Sequence, residues 1–164
     1  NVRLCMETLS IALSLWKLGL VSSEELIAWI DAHIGISNSP DEALVQLSLD
    51  GPDTCLKRPI YEFPFRPIEL TFTEEFGLRV SALNIQSEFE VNNFIRWATV
   101  KCMGENLDDP IVKFCYQLED FCTLEAQVAF LHNELPPLKP RSMSIAHSFY
   151  ASVPGLKPQN ERTT

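Results

Sequence analysis

Apolar residues recur along this chain mostly at three- and four-residue spacing, the rhythm of amphipathic helices. Cys5, Leu9, Ala12, Leu13 and Trp16 form one stripe, and Leu4, Ile11, Leu15 and Leu18 a second. Residues 3–18 therefore read as a helix buried on two sides, closed by Gly19 in a left-handed conformation. Ser22 and Glu25 form a capping box ahead of Leu26, Ile27, Trp29, Ile30 and Ile34, which keep helical period up to Gly35. A connection this short makes the pair an antiparallel hairpin. Ser39-Pro40-Asp41-Glu42 then predicts a short third helix through Leu44, Val45, Leu47 and Leu49, with proline at its first position.

The rhythm breaks over residues 51–72. Pro52, Pro59, Pro64 and Pro67 exclude a helix there, while Ile60, Tyr61, Phe63, Phe65, Ile68, Leu70 and Phe72 are too apolar for a free linker. A strap packed across the helices is expected, with Ile68–Phe72 spaced for one short edge strand. Thr73-Glu74-Glu75 restarts a helix through Phe76, Val80 and Leu83, supported by Glu75 four residues before Arg79. Gly77 weakens it, and a strand over 78–85 is the rival. Ser87 and Glu90 form another capping box before Val91, Phe94, Ile95, Ala98 and Cys102. Asp109-Pro110 opens the last long element, whose apolar face rotates near Cys122-Thr123 and so predicts a break; Pro136-Pro137 ends it.

The expected fold is all-α, a single-domain array of about six helices with a proline-rich strap over 51–72. The alternative is an α+β fold with a small two-stranded hairpin in 60–86. The domain is expected to span 1–140. Residues 141–164 read as a loosely held basic tail: Ile145, Phe149 and Val153 are spaced for an apolar stripe, but serines, prolines and basic charges outweigh it. On that reading, deleting 141–164 leaves the melting temperature nearly unchanged. Leu15–Leu20 running into Ser22–Asp31 resembles a helical-hairpin pattern found in uncharacterised bacterial proteins, a likeness that implies the hairpin alone.

Charge changes the picture of partners. The 164 residues carry 13 basic and 22 acidic side chains, a net of −9. Residues 1–135 hold net −12 and residues 136–164 net +3. Nucleic-acid binding, which needs cations against phosphates, is not expected. An acidic body is steered instead towards a basic protein. The five cysteines show no CxxC spacing, and four of them, Cys5, Cys102, Cys115 and Cys122, lie in apolar helical patterns. Free thiols and a cytoplasmic location are expected. The apolar run Leu9–Trp16 is bracketed by Glu7 and Lys17, which argues against a signal peptide, and no run is long enough for a membrane span.

Candidate chemistry is sparse. No phosphate loop, nucleophile elbow, HExxH or EF-hand pattern is present, and no cofactor is expected. Cys122, Glu125 and His132 recur at helical spacing and are the local trio with metal-ligating chemistry. Cys55 precedes Lys57 and Arg58, whose charges would lower a loop thiol's pKa. Asp50, Asp53, Asp108 and Asp109 abut proline, glycine or one another in turns and caps, where aspartate serves as an acceptor. Trp29, Trp97 and Tyr116 sit in helical patterns and read as core. The function expected from these features is a non-catalytic interaction protein, an immunity- or antitoxin-like inhibitor. The alternative is a small hydrolase or metal-dependent enzyme with a site assembled from separate helices.

Overall fold

The computed structural model describes residues 4–158. Among them the regular structure is nine α-helices and one 3-10 turn, with no strand, so the all-α expectation holds and the hairpin in 60–86 does not form. The helix count rises from six to nine for three local reasons. Pro52 sits at the first position of a one-and-a-half-turn helix, where its missing N–H costs nothing. The break foreseen near Cys122-Thr123 is complete, giving two helices. The segment after Pro136-Pro137 is helical. The chain divides into two compact units, Asn1–Glu69 with Phe149–Thr164, and Leu70–Ser148. No helix of the described residues is long and apolar enough to cross a membrane.

The first unit contains α1 (Met6–Lys17), α2 (Ser23–Gly35), α3 (Glu42–Asp50) and α4 (Pro52–Leu56). Both apolar stripes of α1 are buried, through Leu9, Ala12 and Leu13 and through Ile11 and Leu15. Gly19 has φ +76°, a conformation that favours glycine. The capping box before α2 is fully formed: the Glu25 N–H donates to Ser22 Oγ (3.1 Å), and the Ser22 N–H to Glu25 Oε2 (2.8 Å). At α3 the cap is Asp41, whose Oδ1 accepts from the Ala43 N–H (2.9 Å), so Pro40 lies outside the helix.

The strap after α4 has no strand at 68–72, because its polar backbone groups find side chains instead of a ladder. Arg66 donates to the carbonyls of Phe63 (2.6 Å), Phe65 (2.8 Å) and Arg58 (2.6 Å). The Ile68 N–H donates to Ser14 Oγ (2.8 Å), a buried hydroxyl on α1. Backbone groups satisfied this way need no partner strand. Phe63 and Phe65 are buried in an edge-to-face pair, as a packed strap requires, but Ile60 and Tyr61 are exposed.

The second unit contains α5 (Phe72–Ala82), α6 (Glu88–Lys101), α7 (Pro110–Glu119), α8 (Leu124–Glu134) and most of α9 (Lys139–Ala151), whose last turn passes into the first unit. α5 starts one residue before the expected Thr73, capped by a Thr71/Glu74 box, and stays helical through 82 instead of turning to strand. At α6 only the forward bond of the expected box is made, from the Glu90 N–H to Ser87 Oγ (3.3 Å). The Ser87 N–H is taken by the Asn84 carbonyl. Thr123 caps α8. The core gathers Phe72, Phe76, Val80, Val91, Phe94, Ile95, Ala98, Ile111, Phe114, Leu118 and Leu131.

Residues 141–158 of the basic tail begin inside a helix. α9 begins directly after the Pro136–Leu138 turn, with Pro140 in its first helical turn, where proline is tolerated. Its buried side chains, Ser142 and Ala146, are small and read as polar or neutral in the sequence. The Ser142 hydroxyl is satisfied by the Leu138 carbonyl (3.0 Å). Beyond the helix, Val153 and Leu156 are buried. Residues 159–164 of the expected tail lie outside the described residues.

Gly77, which weakened the helix expectation, is explained by α9. A Cβ added there would stand 2.8 Å from Ile145 Cβ and 2.9 Å from its Cγ2, atoms too near the backbone to swing away. Gly77→Ala is expected to lower stability by up to about 2 kcal/mol, since overpacking of about 1–3 kcal/mol is set against a gain of roughly 1 kcal/mol in helix propensity. Urea titration gives the sign: a raised midpoint would mean the two helices do not meet at this point.

Asp109 caps α7 through the Ile111 N–H (2.9 Å) and takes both guanidinium arms of Arg141 on α9, at 2.8 and 2.9 Å. The Arg141 hydrogen bonds hold the Asp109 carboxyl below the usual carboxylate range; burial opposes this and the Ile111 N–H adds to it. A carboxyl whose folded pKa is depressed contributes stability that is present above its unfolded pKa, about 4, and lost as pH falls through the lower folded value. Asp109→Asn keeps the cap acceptor, so its stability is expected to fall less steeply than the wild type's below about pH 4. Parallel stability curves from pH 7 to pH 2 would contradict the linkage.

Candidate functional site

The residues singled out for chemistry are not brought together. Cys122 precedes α8, because Thr123 is the cap, so it is not on the helical face that carries Glu125 and His132. Glu125 lies in the first turn and His132 in the last, and all three are exposed. Among the described residues no three His, Cys, Asp or Glu side chains converge as a metal site.

Cys55 also departs from expectation. It lies within α4, fully buried, rather than in a loop. Burial pushes its thiol up, Arg58 opposes this and Asp50 adds to it. Arg58 Nη1 also donates to Cys55 Sγ (3.9 Å), but the guanidinium is shared with Asp50 Oδ2 (2.7 Å) and Gln46 Oε1 (2.9 Å), and burial outweighs its effect on the thiol. The Asp50 hydrogen bond raises Arg58 further. Burial likewise raises Cys102 and Cys115. Cys5 and Cys122, expected inside apolar stripes, are exposed. Of the turn aspartates, Asp109 is a cap as expected, while Asp50 and Asp53 pair with Arg58 and Lys57.

The first unit carries an open groove of about 690 Å³ that the sequence did not announce. The N-terminus of α3 supplies Asp41, Glu42, Ala43 and Gln46, and the strap supplies Arg58, Tyr61, Glu62 and Pro64. Asp41, Glu42 and Glu62 are exposed, and Tyr61 is 82% exposed. Three carboxylates thus face one guanidinium that Asp50 and Gln46 already hold, leaving the groove electronegative around an aromatic ring.

No protein-family model, no curated protein and no solved structure matches this chain.

The groove therefore has to be read from its own chemistry. In the sequence Tyr61 is one more apolar residue of the strap. Strap residues inside and outside share one composition, and only the fold sends Phe63 and Phe65 inward and Tyr61 out.

Proposed function

We propose that this is a non-catalytic interaction protein of the cytoplasm whose acidic surface binds a basic protein partner, in the manner of an immunity or antitoxin-like inhibitor. The observation that carries the reading is the exposed Tyr61 in a groove that Asp41, Glu42 and Glu62 also line. A tyrosine offers a large contact area at little conformational cost, and its ring face accepts a Lys or Arg. Carboxylates around such an anchor steer a basic partner and fix its orientation. The five free thiols suit a reducing compartment.

Affinity capture from the source lysate tests this, with the wild type and Tyr61→Ala as paired baits at low and high salt. The expected partner is basic and released by salt, and its affinity falls roughly 30-fold with Tyr61→Ala, as for an anchor contributing about 2 kcal/mol. An acidic partner, or one held equally by both baits, would overturn the reading.

A further inference from the structure

A second cleft in the first unit, about 470 Å³, opens between the start of α1, the end of α2, the loop into α3 and the strap. Its volume falls within the roughly 300–1,000 Å³ of small-molecule sites. The floor is apolar, formed by the buried side chains of Leu9, Leu44 and Phe65. Met6, exposed at the rim, is a flexible thioether that adapts to the shape of a guest.

The polar side chains of the rim are those of His33, Ser37, Ser39 and Asp41. The His33 Nδ1–H donates to the Trp29 carbonyl (2.8 Å), since a carbonyl only accepts. Asp41 caps α3 with Oδ1 and brings a negative charge. Among the described lining residues there is no Lys or Arg. One carboxylate without a neighbouring cation, above an apolar floor, disfavours phosphate or carboxylate ligands and suits a donor-bearing cation with a hydrocarbon body.

We propose that this cleft binds a small amphipathic amine, with its chain on Leu9, Leu44 and Phe65 and its ammonium group towards the Asp41 carboxylate. The site is separate in kind from the groove around Tyr61, although Asp41 borders both, and it stands or falls independently of the basic-partner reading.

Cys5 lines the cleft and is exposed, and Cys122 is exposed in the other unit, so two thiols report on occupancy and on its specificity. The full chain is alkylated with limiting iodoacetamide at neutral pH in the presence of octylamine, octanol or octanoate, and each cysteine is followed by peptide mass spectrometry. At about 1 mM octylamine, Cys5 alkylation is expected to slow roughly fivefold, the protection given by a Kd of about 0.25 mM, while Cys122 is unchanged. Octanoate is expected to leave both rates unchanged. Asp41→Asn keeps the α3 cap and is expected to reduce octylamine protection to the level of octanol. Unslowed Cys5, equal slowing of Cys122, equal protection by octanoate, or full protection in Asp41→Asn would each overturn the proposal.

Discussion

Replacing Phe76 with alanine is expected to lower stability by about 3–5 kcal/mol, the usual cost of emptying a buried aromatic site. Phe76 is fully buried, and its ring meets four others: Phe72 at 6.3 Å, Phe94 at 5.6 Å, Trp97 at 6.5 Å and Phe114 at 6.0 Å. These partners come from α5 itself, α6 and α7, so the cavity would open where three helices meet. Two contacts are edge-to-face, a geometry that adds about 0.5–1.5 kcal/mol beyond burial. The neighbours have little freedom to close the gap: Trp97 is stacked on Phe72 (5.3 Å) and lies under the Arg79 guanidinium (4.7 Å), which Glu75 holds by two hydrogen bonds. Phe76→Leu keeps much of the volume and should cost closer to about 1.5 kcal/mol. Chemical denaturation of both variants provides the measurement. Equal, small losses would mean that the ring is not the centre of this core.

The paired substitution Val153→Ala and Leu156→Ala is the second large effect, expected to cost about 3–5 kcal/mol in total from lost burial and the cavities left behind. Both side chains are buried in the first unit, beyond the end of α9. Between them the Pro154 carbonyl accepts from Trp29 Nε1 (2.8 Å), and Gly155, at φ +97°, allows the chain to pass close over the Trp29 ring. An indole N–H that loses its acceptor inside the fold adds to the cost. A chain of this size loses roughly 2–4 °C of melting temperature per kcal/mol, so a fall of about 6–20 °C is expected. Trp29 emission should also shift as its cover loosens. An unchanged melting temperature would mean that this segment is as loosely held as its composition suggests.

The helices that the sequence made legible are those whose signals are local. Ser22 and Glu25, Asp109 and Pro110, and the break at Thr123 each act within one turn, through a side chain bonding a backbone N–H three or fewer residues away. Such bonds form whatever the rest of the chain does, and with the apolar rhythm they determined the all-α class. The acid excess and the free thiols are also properties of the sequence alone. It could not show how α9 docks, because the buried face of that helix is Ser142 and Ala146, and Gly77 makes room for its Ile145. Small residues allow close approach only when a second helix is present. Nor could it tell Phe63 from Tyr61, since both are apolar and two residues apart. Arg66, gathering three carbonyls, and Ser14, meeting Ile68, set the path of the strap and with it which ring turns outward. The buried state of Cys55, the division into two units and both clefts depend likewise on contacts between residues far apart in the chain. Their energies exist only once the chain has closed those loops, and tertiary structure alone decided them.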